Sequence, residues 1–411
     1  MVRKLFAAVL AAAILTPQIG SAAAWKPNLK FGNLELHPYY QLTESLDSNI
    51  YLVPPDQANG IKSGGGVLSS WITDNTLGLK ANWKVGKNSI KAGYKGQALT
   101  YSQQGAINDA FNQQANIAYA YTRTGWKFKL SDTYINTEDP AFSQLVGRSQ
   151  RWQNNIASSL EYAPKGGRGF LGVTIDHTNH KYLDSSPAGL AFSLNRYEQS
   201  AGLRVGYNIQ PKTRAYLGYR RGIIHHSIQP NTKHNKTHYV DLGVEGKLAN
   251  KLTGSVRSGI SMRRYADESS VGRDNTNNLW NVKGNLMWKP LARTNVGLNA
   301  SRALTESTFG TNRYYVSNLI GLTLSHKLPW KLTAKAGLSA GWDMYPESTT
   351  IGTVSRNRRD DNYVQSFGLD HKCSEWFNLG LNYEHKERNS VFPGSFNYER
   401  HLTALKARIA F

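Results

Sequence analysis

The sequence predicts an all-β protein, a closed antiparallel transmembrane β-barrel of about eighteen strands, or between about sixteen and twenty. Three observations carry that expectation. Side-chain character alternates with a period of two in segment after segment, which gives each strand two unlike faces. The connections alternate between short turns and longer polar stretches, the asymmetry of short periplasmic turns and long extracellular loops. Beyond the N-terminal region no apolar run is long enough for a spanning helix.

The strands follow in chain order when every second residue is taken as lipid-facing. Leu34, Leu36, Tyr40 and Leu42 define the first, and Leu77, Leu79, Trp83 and Val85 the second. Then come Ile90 with Tyr94, Ile117 with Tyr121, Trp126 with Leu130, Ile156 with Tyr162, and Leu171 with Ile175. Leu203 with Ile209 and Leu217 with Ile223 complete nine. The second half gives Val240 with Leu248, Leu252 with Met262, Trp280 with Trp288, Val296 with Leu304, and Val316 with Leu324. Leu332 with Trp342, Tyr363 with Leu369 and Phe377 with Tyr383 follow, and the last strand begins near Arg400. Short turns are expected at Gly86 to Asn88, Thr124-Gly125, Pro164 to Gly169, Pro211-Lys212, Ala249-Asn250, Pro290 to Ala292, Lys327 to Pro329 and Lys372 to Ser374. Trp83, Trp126, Trp288 and Trp330 flank such turns with outward parity, as a periplasmic aromatic girdle would.

The ends place the barrel. Leu405, Ala407, Ile409 and Phe411 share one face of the last segment, and Lys406, Arg408 and Ala410 the other. An aromatic end resembles the closing strand of a bacterial outer-membrane barrel and the tag read by the barrel-assembly machinery, an expected partner through Phe411. At the N-terminus, Arg3 and Lys4 precede a short apolar run, Leu5 to Leu15, and Ala22-Ala23-Ala24 supplies a cleavage site. Residues 1–24 are therefore expected to be a signal peptide and 25–411 a single barrel domain in the Gram-negative outer membrane. The lone Cys373 rules out an internal disulfide and any all-Cys metal cluster.

Net charge is +21, with 49 basic against 28 acidic residues. The basic residues are dispersed at alternate strand positions rather than run together, and export makes nucleic acid an improbable partner. The charge implies an anionic partner: lipopolysaccharide outside, or an anionic polysaccharide or small anions inside. On the face opposite the apolar set stand Lys80, Lys91, Lys95, Lys129, Arg204, Arg220, Arg257, Lys283, Lys335, Lys406 and Arg408. Basic positions outnumber acidic ones there by about three to one, and most of the remainder are Gly, Ser and Asn. Such residues cannot fill a lumen of this width, so a hydrated cationic conduit is expected.

From Leu36 to Tyr51 the chain resembles the opening of the putative β-barrel porin type-2 family. That opening is a strand containing Pro, here Pro38, then a Thr/Ser-rich stretch ending in Asp-x-Asn-aliphatic-Tyr, here Asp47, Asn49, Ile50 and Tyr51. The glycine-rich pattern of strands and turns is similar through to Phe411. The family includes outer-membrane proteins associated with exopolysaccharide export, and the lumen resembles that of the eighteen-stranded alginate exporter. The resemblance implies export of an anionic polysaccharide. No periplasmic domain is expected beside the barrel, which leaves the handover of cargo open.

Other sites are not expected. His225, His226, His234 and His238 cluster in one expected loop, but no Cys and no carboxylate except Asp241 reinforces them as a metal site. No catalytic spacing singles out a residue, so an enzyme is not expected, and neither is a cofactor. Gly64-Gly65-Gly66 lacks the strand and helix of a phosphate loop. The function expected is an exopolysaccharide conduit. The alternatives are an anion-selective diffusion porin and, from other classes, a barrel enzyme or a structural or adhesive barrel.

Overall fold

The computed structural model describes residues 29–55, 66–139, 149–183, 194–227, 233–266, 275–307 and 312–411. The expected signal peptide, residues 1–24, and Gly64 to Gly65 lie outside these. Nineteen strands form one antiparallel sheet. The first half comprises β1 (Leu29–Phe31), β2 (Leu34–Asp47), β3 (Ser70–Val85), β4 (Asn88–Tyr101), β5 (Ala110–Arg123), β6 (Trp126–Thr137), β7 (Arg151–Tyr162), β8 (Gly169–Tyr182), β9 (Arg196–Gln210) and β10 (Thr213–His226). The second comprises β11 (Asn235–Ala249), β12 (Leu252–Tyr265), β13 (Thr276–Trp288), β14 (Thr294–Glu306), β15 (Tyr314–Lys327), β16 (Leu332–Ile351), β17 (Val354–Lys372), β18 (Phe377–Ser390) and β19 (Tyr398–Ala410).

Each strand from β2 to β19 pairs with its neighbours in sequence, and β19 returns to β2 with Lys406 opposite Thr43 and Ile409 opposite Tyr40. Eighteen strands therefore close a wall, and all eighteen contain the segments read from the sequence. Phe411 extends the seam, its N–H donating to the Pro38 carbonyl at 2.9 Å. The nineteenth strand was not expected. It is β1, which folds back on β2 through Gly32, whose φ of 59° suits glycine.

One expected loop is also corrected. Residues 343–362 are polar, and the period-two signal of the apolar face stops at Trp342. The strands nevertheless continue past a bulge between Met344 and Ser348 to a two-residue turn at Gly352-Thr353. Ladder hydrogen bonds hold β16 and β17 together where no apolar contrast remains, so this hairpin projects beyond the lipid-facing band.

The apolar set faces outward. Leu77, Leu217, Leu242 and Leu405 are all exposed, while Gly243, beside Leu242, is buried on the inner face. Trp83, Trp126, Trp288 and Trp330 are exposed near the short turns. Trp71, Phe111, Trp280 and Trp342 are exposed toward the opposite end and form a second, extracellular girdle. Brominated lipids labelled near the headgroup should quench the fluorescence of the first four tryptophans. No quenching would mean that they point into the lumen and that the inner face has been assigned one residue out of register.

Candidate functional site

The lumen wall is built from residues alternating with the lipid-facing set, and the eleven cations named from the sequence all stand at these positions. Two are neutralised. Arg204 lies 3.8 Å from Glu245 and 3.9 Å from Glu161, and the Lys335 ammonium lies 2.6 Å from Asp370. The other nine have no carboxylate at ion-pair distance among the described residues. Arg257 and Lys283 are direct register partners on β12 and β13. Like charges placed opposite each other on one face of a sheet destabilise it. Lys129, Arg204, Arg220 and Arg257 line a cavity of about 450 Å³ together with Asp176 and Asp241.

Acidic partners are more numerous than the sequence tally allowed. Glu161, at the inward parity of β7, takes Lys127 at 3.0 Å and Arg214 at 2.8 Å. Asp74 and Asp176 are likewise inward and were missed, although counting every second residue finds all three. Lys127 and Arg214 are thus absorbed in ion pairs, and the basic excess is smaller than three to one.

Three inner glycines have a specific packing task. A Cβ on Gly78 would lie 2.1 Å from Cζ of Tyr39, one on Gly243 2.2 Å from Cζ of Tyr216, and one on Gly206 2.3 Å from Cε1 of Phe170. Each aromatic ring therefore lies flat over a glycine of the next strand instead of projecting across the lumen. Each ring then carries a guanidinium: Arg408 over Tyr39 at 4.2 Å, Arg204 over Tyr216 at 5.3 Å and Arg214 over Phe170 at 4.5 Å. Glycine, ring and arginine form a layer that keeps the wall smooth and the cation oriented.

Toward the extracellular end, segments fold into the lumen. The motif read near the N-terminus anchors the first of them. Asp47 accepts three hydrogen bonds from the Arg400 guanidinium at 2.7–3.0 Å. Its Oδ1 also takes the Asn49 N–H at 3.0 Å. Asn49 is 1 % exposed and bonds the Val53 and Glu399 carbonyls. Ile50 and Tyr51 are then buried with Val53, Ile72, Leu99 and Tyr101 on the inner face. A second segment, Phe392 to Phe396, brings Phe396 over the fully buried Arg358, which pairs with Asp360.

The third segment is the β14–β15 hairpin. Pairing between β13 and β14 stops at Val282 opposite Arg302, while β14 stays paired to β15 as far as Glu306 and Tyr314. The described ends of the two strands, Glu306 and Tyr314, pass inside β13. Glu306 meets the buried Arg263 of β12, Lys233 bonds the Ser307 carbonyl at 2.9 Å, and Tyr314 bonds Asn277. Burial pushes the Lys233 ammonium below its usual range, while Glu306 and Glu347 pull it back up. His226, also inward, lies 3.8 Å from Glu306. His225 and His238 share the outward parity of Tyr219 and Leu242 and line one cavity with His234, whereas His226 faces inward.

The family model of Putative beta-barrel porin 2 matches residues 156–411. The chain belongs to that family. As a member of Putative beta-barrel porin 2 it is a porin-type barrel of the Gram-negative outer membrane. The matched stretch holds β8 to β19 and Arg204, Arg220, Arg257 and Lys283, whereas Asp47 to Tyr51 lie before it. No curated protein matches the chain. Among solved structures it is similar to OpdK of Pseudomonas aeruginosa, determined with vanillate, at 10% identity and TM-score 0.49 over 92% of this chain and 99% of that one. OccK9 (OpdG) of the same organism gives 11%, 0.49, 92% and 99%. OccAB3 of Acinetobacter baumannii gives 10%, 0.48, 92% and 99%.

Two substitutions probe this lumen. Glu306→Ala leaves a buried Arg263 without its carboxylate, which costs on the order of 3 kcal/mol. The ends of β14 and β15 at Glu306 and Tyr314 should then leave the lumen, and single-channel conductance should rise; an unchanged conductance would show that these strand ends do not narrow the path. Gly243→Val should push the Tyr216 ring off the wall, lowering conductance and destabilising the barrel by about 1–3 kcal/mol. A Gly243→Val barrel that conducts and melts like the wild type would count against the flat-ring layer.

Proposed function

We propose that this barrel is an outer-membrane channel that passes small anions by diffusion. The observation that carries the reading is the set of uncompensated inner cations, above all Arg257 and Lys283 face to face. Neighbouring ammonium and guanidinium groups with no carboxylate at ion-pair distance raise the energy of the empty wall, and an anion between them lowers it. Fixed charge of one sign inside a low-dielectric shell concentrates counter-ions and excludes co-ions. Each charge acts over about 8 Å at physiological salt, so selectivity is collective.

Export of an anionic exopolysaccharide, implied by the resemblance, is the second reading. The same cations favour it, but the three inward segments favour small solutes, because a polymer would have to displace all of them at once. Lipopolysaccharide around the rim and the assembly machinery at Phe411 complete the proposed partners.

Reversal potentials across a planar bilayer test the proposal. The wild type should prefer anions, less so as salt rises. Changing Lys95, Arg220, Arg257, Lys335 and Lys406 together to Glu should reverse the preference, while any one change should do little. Lys335 is the weakest of the five, since Asp370 already neutralises it. A cation-selective wild type would remove the proposal. Block of the current by an anionic oligosaccharide, followed by its passage to the far side, would move the balance to the polymer reading.

A further inference from the structure

We propose that His385, Glu399 and His401 form a transition-metal site of the zinc class on the outer surface of the barrel. His385 on β18 and His401 on β19 are direct register partners, and Glu399 lies two residues before His401 on the same face. The two imidazole rings stack at 4.7 Å with an interplanar angle of 10°. Both Nε2 atoms address one oxygen: Glu399 Oε1 lies 3.2 Å from that of His385 and 3.1 Å from that of His401. All three donor atoms fall within 4.8 Å of one another.

Those separations suit a metal. Zinc bonded to N and O donors at about 2.0–2.2 Å in a tetrahedron places its donors about 3.3 Å apart. The two imidazole-to-carboxylate distances are already close to that edge, and the third separation lies within 4.8 Å. A metal lies in the plane of each imidazole it binds, so one of the two stacked rings must turn together with the exposed Glu399 to admit an ion between the three. A fourth observation points the same way. The Tyr383 hydroxyl sits 2.9 Å from His401 Nδ1. A metal on Nε2 requires the proton on Nδ1, and the hydroxyl oxygen is placed to accept it. Such a partner fixes the tautomer and ring orientation of a ligating histidine.

Depth and donor chemistry narrow the ligand. On β18 the outward residues run Leu379, Leu381, Tyr383 and then His385, so the cluster begins where the apolar column ends. Three protein donors leave the outward position of a tetrahedron open to water. Two imidazoles among three donors favour Zn²⁺, Cu²⁺ or Ni²⁺ over the hard cations Ca²⁺ and Mg²⁺, which take oxygen. A bound ion would clip β18 to β19, next to the β19–β2 seam.

Titrating the purified full-length barrel in detergent with Zn²⁺ against a chromogenic chelator tests this. The wild type should bind one tight equivalent that the pair His385→Gln with His401→Gln loses. Glu399→Gln and Tyr383→Phe, which spare the strand pairing, should each weaken binding by about 10–100-fold. His238→Gln should bind like the wild type, because His238 has a similar tyrosine, Tyr219 at 2.7 Å, but belongs to no such donor group among the described residues. Equal binding by the wild type and the double variant would overturn the site. So would displacement of Zn²⁺ by equimolar Ca²⁺.

Discussion

Closure of the backbone ladder is the constraint on which this structure depends. Inside a bilayer no water is available to satisfy N–H and C=O groups, so a sheet can cross only if it has no edge. The seam between β19 and β2 meets that demand, and with it each wall strand has two neighbours. Once backbone pairing does the holding, inner side chains are released from the task of packing a core. The inner face can then carry glycine, serine and unpaired lysine, which no soluble interior would tolerate. Its chemistry is not constrained by what must be buried.

The inner face is therefore not uniformly charged. Glu161 and Glu245 gather Lys127, Arg204 and Arg214 into one bridged group, and Asp47 and Glu384 gather Arg400. These groups brace neighbouring strands and the inward segments. Lys80, Lys91, Lys95, Lys129, Arg220, Arg257, Lys283, Lys406 and Arg408 stand apart from them. Arg220 and Arg408 lie instead on the rings of Tyr239 and Tyr39 at 4.0 and 4.2 Å, contacts that orient a cation without neutralising it. The bracing cations and the unpaired ones are thus of the same residue types, separated by whether a carboxylate is in reach.

Most of the wall was legible in the sequence because a strand between lipid and water writes its orientation in every second residue. Parity placed Leu217 outside and Arg220 inside without further information. It failed where a strand leaves the wall. Glu306 has the parity of the lipid-facing Leu298, yet it is buried against Arg263, because β14 has by then turned inward. Nothing in a period-two pattern records that departure. The β16–β17 hairpin was invisible for a related reason: beyond the bilayer both faces are polar, and the contrast that marks a strand disappears. The roles of Asp47 and Asn49 needed the fold, since their partners Arg400 and Glu399 lie some 350 residues away.

The parting of β13 and β14 also bears on the lipid around the protein. Above Val282 and Arg302 the facing edges of the two strands share no ladder, so hydrocarbon cannot reach that height. Arg302 itself has outward parity and bonds Asn318, and the exposed Trp280 sits two residues above Val282. From Trp288 to Val282 the paired wall spans six residue steps, about 20 Å along the strand. At the usual barrel tilt that is about 15 Å along the membrane normal, against about 25 Å for a typical apolar band. Beside these two strands the outer leaflet dips, so the protein is bordered there by a local thinning of the bilayer.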